Sequence, residues 1–363
     1  MTGRSTIPEA RSPVPLQRLG LTDMHITRVG FGAWAIGGAD WIAGWGRQDD
    51  SASIASIRHA IHRGINWIDT AAVYGLGHSE EIVSQALTGI PVSERPFVFT
   101  KCGIRWDETD RMAMPKKVGA PASIRGEAEA SLRRLGVERI DLYQMHWPPD
   151  DGTPLEAYWQ TLLDLKAEGK VRAVGLSNHD AAQLETAERL GHVDTLQPPF
   201  SAIHRDVATV ELPWCRAHDT GVIVYSPMAS GLLTGAFTVE RAKSLPKDDW
   251  RSRSADFTGD ALIRNLKVVN AMRPIAARHG TTVAAVALAW TLAWPAVTAA
   301  IVGARSPAQV DGWFDAAALR TDGSMRLRSA SRPKTSRTSP PRLPRPAPAV
   351  VPSNPTADVC AEP

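Results

Sequence analysis

Four residues carry groups whose combination does chemistry: Asp69, Tyr74, Lys101 and His146. A tyrosine hydroxyl titrates near ~10 and is a poor acid at neutral pH. A nearby ammonium favours the phenolate and lowers that value, and a carboxylate can hold the ammonium in place. A neutral imidazole beside them can orient a carbonyl oxygen. Together these groups form a set for protonating a carbonyl as hydride arrives at its carbon. Singly, each has an ordinary structural explanation: a loop-capping aspartate, a rim lysine, a satisfied core histidine. Their convergence is what makes a site. The chain holds only four tyrosines, Tyr74, Tyr143, Tyr158 and Tyr225, which narrows the choice of acid.

Convergence requires a scaffold. Short apolar runs read as buried strands: TRVGFGAWAIG (27–37), NWIDT (66–70), PFVFTKC (96–102), IDLYQMH (140–146), VRAVGLSN (171–178), DTLQ (194–197), GVIVYSP (221–227) and VTAAIVGA (297–304). Helix-period segments lie between them, at 53–64, 79–87, 123–136, 154–169 and 181–191. Gly136, Gly169 and Gly191 stand where a left-handed helix-terminating residue is expected. Strand and helix alternating eight times predict an α/β fold, a closed (β/α)8 barrel of the TIM type. An open doubly wound sheet fits less well, because Gly30-Phe-Gly32-Ala-Trp-Ala lacks the third glycine of a dinucleotide fingerprint. Residues 16–32 read as a β-hairpin turning near Thr22-Asp23, a plug for the barrel floor. Residues 228–259 form a long loop after strand seven, on the face where barrels build active sites. On that face, Asp69 follows strand two, Lys101 strand three and His146 strand four, with Tyr74 five residues past Asp69.

Composition removes other classes. The 363 residues carry a formal charge of +3, from 41 basic and 38 acidic residues. Seven of the basic and three of the acidic residues lie in 321–363, leaving 34 and 35 in residues 1–320. The body is neutral and gives no support for a nucleic-acid or membrane-surface partner. Three scattered cysteines imply neither a disulfide framework nor a zinc site, so a reducing cytoplasm is expected. Residues 280–304 contain no charge, but Pro295 divides them into a buried helix and a buried strand, which argues against a membrane span.

The chain resembles the aldo-keto reductases. The matching stretches are GFGAWAIGG, GINWIDTAAVYGLGHSEE, VFTKCG, SLRRLGVERIDLYQMHWP, GKVRAVGLSN, LQPPFS, VIVYSPMASGLLTGAF and AAIVGARSPAQV, in the family's order over residues 16 to about 319. The resemblance implies Tyr74 as general acid/base, Asp69 and Lys101 tuning it, and His146 positioning the carbonyl. It implies NADP(H) as cofactor, with NAD(H) possible. Ser177, Asn178 and Gln197 would hold the nicotinamide carboxamide, and Tyr225 would stack on the ring. Ser226, Met228, Ser230, Leu233 and Gly235 would wrap the pyrophosphate. Arg305 would pair with a 2′-phosphate, and Gln309 would lie at the adenine. Two departures stand out: Gly312 and Trp313 occupy positions that are commonly Glu-Asn at the adenine, and Ala236 stands where lysine is frequent. Trp34, Trp106 and Trp147, beside the catalytic strand ends, are expected to line an aromatic pocket for a carbonyl or sugar substrate.

Three domains of composition are expected: a flexible 1–15, the barrel at 16–320, and a Pro/Arg/Ser-rich 321–363. The last segment holds nine of the 27 prolines and reads as disordered, as out-of-frame translation of a GC-rich gene would be. The leading functional reading is NADPH-dependent reduction of an aldehyde or ketone. Its alternatives are an aldose or alcohol dehydrogenase running oxidatively, and a cofactor-binding regulatory protein like the potassium-channel β-subunits. A metal-dependent barrel hydrolase lacks its H-x-H on strand one.

Overall fold

The computed structural model describes residues 14–246 and 249–318. The proline-rich tail, and all of the expected flexible N-terminus except Val14 and Pro15, lie outside them. Eight parallel strands close a barrel in chain order: one, Val29–Gly32; two, Trp67–Asp69; three, Phe97–Cys102; four, Ile140–Met145; five, Val171–Ser177; six, Thr195–Gln197; seven, Gly221–Val224; and eight, Ala299–Gly303. Strand eight returns to strand one, pairing Val302 with Phe31 and Gly303 with Gly32.

Crossover helices follow, among them Asp50–His62, His78–Leu87, Pro121–Leu135, Leu155–Ala167 and Ala181–Glu188. Their starts are chemically marked. Asp49 accepts the Ala52 N–H, and Asp180 and Gln183 cap each other reciprocally. Gly136 and Gly169 adopt the left-handed conformation expected of them. Gly191 does not. A Cβ there would meet the Leu163 side chain at 2.7 Å, so this glycine serves helix packing instead. The uncharged 280–304 stretch becomes the buried helix Val283–Leu292 and strand eight. Among the described residues no helix is long and apolar enough to cross a membrane.

The floor is sealed as the hairpin reading predicts. Leu16–Arg18 pairs antiparallel with His25–Thr27, and Leu19, Met24 and Ile26 pack against Trp67, Phe99, Leu142 and Ile223. Trp67 lies so close to strand one that a Cβ on Gly30 would fall 2.1 Å from its indole. Only glycine admits that contact.

The segment after strand seven is more ordered than a long polar loop. Turns at Ala229–Thr234, Trp250–Arg253 and Ala255–Phe257, with the short helix Val239–Lys243, lead into the long helix Gly259–His279. Leu232, Leu233, Phe237 and Phe257 bury themselves with Leu262, Val269 and Met272, giving this strap a core of its own.

Candidate active site

A cavity of about 830 Å³ opens at the C-terminal end of the barrel. At its base the four predicted groups meet. The Lys101 ammonium donates to Asp69 Oδ1 at 2.5 Å, to the Thr70 carbonyl at 2.9 Å and toward the Tyr74 hydroxyl at 3.4 Å. The His146 ring stands edge-on to Tyr74, centroids 5.6 Å apart. Lys101 and Asp69 are 1% and 2% exposed, so neither charge is shared with water.

Burial governs the electrostatics. It lowers the affinity of Lys101 for its proton and raises that of Asp69, while their mutual attraction opposes both changes. It pushes the Tyr74 hydroxyl well above 10, and the Asp69 charge adds to the rise. The expectation that lysine would depress the tyrosine is therefore reversed. Desolvation of the phenolate decides the outcome. Tyr74 thus holds its proton firmly. His146 is held well below 6.5, first by burial and then by Lys101, so its imidazole is neutral at physiological pH.

One wall joins these groups to the residues expected at the cofactor. Gln197 Nε2 donates to Asp69 Oδ2 at 2.9 Å, and the Ser177 hydroxyl donates to the Gln197 carbonyl at 2.8 Å. Asn178, in the left-handed region at φ 62°, donates to the His146 carbonyl and accepts from the Tyr225 hydroxyl. Behind them the buried His179 donates through Nδ1 to the Ser177 carbonyl, and its Nε2 accepts from Tyr158. Ser226, Ala229 and Ser230 also have positive φ. Backbone strain thus gathers in the loops after strands five and seven.

Most of the predicted residues line this cavity, but four do not; one of these, Lys101, lies beneath it, bonded to Asp69. Trp34, Trp147, Ser177, Asn178, Gln197, Tyr225, Ser226, Met228, Ser230, Arg305 and Gln309 line it together with Asp69, Tyr74 and His146. Trp106 borders a separate surface depression with Glu81, Glu108, Arg111 and Arg134. Leu233 is buried in the strap's own core. Gly235 leaves the lining to its neighbours Thr234 and Ala236, while its carbonyl accepts from Arg273. Trp313, at the departure from the family pattern, does line the cavity.

Arg305 is engaged differently from a free phosphate reader. Its Nε donates to Gln48 at 2.6 Å, and its terminal nitrogens donate to the carbonyls of Trp45 and Arg47. It thereby ties the loop after strand one to the start of the last helix. Above it, Trp250 of the strap stacks on Trp34 at 5.7 Å and meets Trp45 edge-on. Arg251 pairs with Asp249 and lies over Trp45 at 4.9 Å. Sequence reasoning missed this seam of Trp45, Gln48, Trp250 and Arg251. The aromatic run WIAGWG was its one visible signal.

The arrangement suits a nicotinamide dinucleotide. The cavity runs from the four reactive groups, past an amide and hydroxyl wall and the flat Tyr225 ring, to Arg241, Arg251 and Arg305. Those arginines supply positive charge where phosphates would lie.

The chain matches the model of the Aldo/keto reductase family over residues 28–329. It is 37% identical to the NADH-specific methylglyoxal reductase of Escherichia coli (strain K12), over 80% of this chain and 90% of that protein. It is 34% identical to aldo-keto reductase YhdN of Bacillus subtilis (strain 168), over 80% and 85% respectively. The solved glycerol dehydrogenase AKR11B4 from Gluconobacter oxydans superimposes with a TM-score of 0.75 at 39% identity, covering 82% of this chain and 89% of that one. With the barrel, the buried reactive groups and a match across most of the chain in agreement, this protein belongs to the aldo/keto reductase family of NAD(P)-dependent oxidoreductases.

Proposed function

We propose that this enzyme reduces a small aldehyde or ketone to its alcohol, with Tyr74 donating the proton. The observation that carries the reading is the buried Lys101–Asp69 pair beneath a tyrosine that keeps its proton. A bound reduced nicotinamide supplies the hydride. The neutral His146 can donate a hydrogen bond to the carbonyl oxygen, holding it next to the Tyr74 hydroxyl. Lys101 stabilises negative charge as it develops on the phenolic oxygen, and Asp69 keeps that ammonium in place. Ser177, Asn178 and Gln197 orient the carboxamide, and Tyr225 presents a flat face to the ring. Relatives named for methylglyoxal reduction and glycerol dehydrogenation support the interconversion of small carbonyls and alcohols.

Both NADPH and NADH serve in this reading. Arg305 is the candidate for a 2′-phosphate, but three of its N–H groups hold the loop after strand one, leaving two for a ligand. The test is oxidation of NADPH and NADH with a panel of aldehydes and ketones. Turnover with at least one carbonyl is expected. Tight cofactor binding without turnover on any of them would favour a regulatory cofactor-binding protein.

A further inference from the structure

The cavity has a second polar feature, remote from its arginines. Lys117 lies on a two-residue strand, Lys116–Lys117, paired antiparallel with Ile104–Arg105 in the loop after strand three. Ile104 and Lys117 are directly opposite in that pair, so their side chains share a face. Both are half-buried and line the cavity, whereas Arg105 and Lys116 are exposed on the other face. The platform is fixed. The Val118 N–H bonds to the Gly103 carbonyl, the Gly119 N–H to the Asp151 carboxylate, and the Lys117 carbonyl accepts from Asp150.

The Lys117 ammonium stands 5.1 Å from the indole of Trp147, the residue that follows His146. No carboxylate pairs with it among the described residues. Ile104, the residue opposite Lys117, belongs to an apolar cluster with Trp34, Ile42 and Val73, and Met114 and Trp147 also line the cavity. Among the described residues the one carboxylate lining the cavity, Asp69, is already committed to Lys101 and Gln197. Strand order separates Lys117 from the phosphate-binding end, because strands three and four lie across the barrel from strands seven and eight. A cofactor's phosphates would be met by Arg241, Arg251 and Arg305, leaving Lys117 for the other ligand.

We propose that Lys117 determines substrate class: the carbonyl compound carries an anionic group, a carboxylate, remote from its carbonyl. The inference rests on the reductase reading above. The carbonyl sits beneath Tyr74 and His146, the connecting chain crosses the apolar wall, and the carboxylate meets the ammonium beside Trp147. A cation partly withdrawn from water gains most from an opposite charge that shares its site.

The test is a series of aldehydes of four to eight carbons bearing a terminal carboxylate, each paired with its methyl ester, and a neutral aromatic aldehyde as reference. At one chain length or more, the acid should exceed its ester in kcat/KM by about 10-fold, mainly through KM, and the advantage should shrink with added salt. Lys117→Met should remove that advantage, and Lys117→Arg should keep most of it. Esters consumed as well as acids at every length would overturn the proposal. So would a Lys117→Met loss equal on acid and ester. Turnover of the neutral reference in those cases leaves the reductase reading standing. No turnover of any aldehyde removes both.

Discussion

The two ends of the cavity are built by different means. At the catalytic end, Asp69, Lys101 and His146 sit on or just past buried strands; Asp69 and Lys101 are fixed by main-chain neighbours on both sides, and His146 by the Cys102 main chain on one side and the Asn178 side chain on the other. At the far end, the seam between residues 45–48 and 249–253 is made of loops held by side chains: Arg305 on three acceptors, Trp250 on Trp34, Arg251 on Asp249. Chemistry that needs sub-ångström placement is assigned to the sheet. In the function proposed above, grip on the cofactor falls instead to loops and side chains, which part more readily than a sheet.

This division predicts that damage at one end should not imitate damage at the other. The largest effect is expected from Tyr74→Phe, which should slow single-turnover hydride transfer ~10²- to 10⁴-fold while retaining cofactor affinity measured by fluorescence titration. A matching collapse of affinity would mean the two ends are one unit. Lys101→Met should destabilise the fold by about 3–5 kcal/mol in urea unfolding, because it strands a buried carboxylate. Adding Asp69→Asn should recover part of that loss; if it recovers none, the pair is not what holds this end together.

A third prediction concerns the wall between the ends. Burial lowers the His179 pKa to about 4, against 6.5 for the free side chain. The unfolded chain therefore binds this proton first as pH falls. The contribution is complete above pH ~6.5, declines below it and is gone below ~4. Between pH 7.5 and 4.5 the wild type should lose about 2–3 kcal/mol more stability than His179→Gln. Equal slopes would remove His179 from that account. The smallest effect belongs to the seam. Arg305→Ala should raise the dissociation constants of NADPH and NADH alike, by ~10-fold, because it frees the loop at 45–48. A loss confined to NADPH would show that Arg305 reads the 2′-phosphate instead.

The same division explains what could be read in advance. Buried parallel strands are continuous apolar runs, so the eightfold alternation announced the barrel, and strand ends located Asp69, Lys101 and His146. The seam left little trace, since the partners of Trp45 and Gln48, Trp250 and Arg305, lie more than two hundred positions away. Nothing local in KKVG distinguishes Lys117, on the cavity face, from Lys116, which is exposed; the alternation of a two-residue strand decides it. The sign of the Tyr74 shift was likewise hidden. It depends first on how far burial disfavours the phenolate, with the Asp69 charge adding to the rise.

The indoles of the seam have an optical consequence. Trp34, Trp45 and Trp250 lie with ring centres 5.3–5.7 Å apart, close enough for excitation to pass among them before emission. A reduced nicotinamide held beside Tyr225 absorbs in the range where indoles emit. The protein therefore carries its own donor array next to the acceptor it would bind. Parting of the strap from the loop after strand one would register as a change in ultraviolet fluorescence, with no label attached.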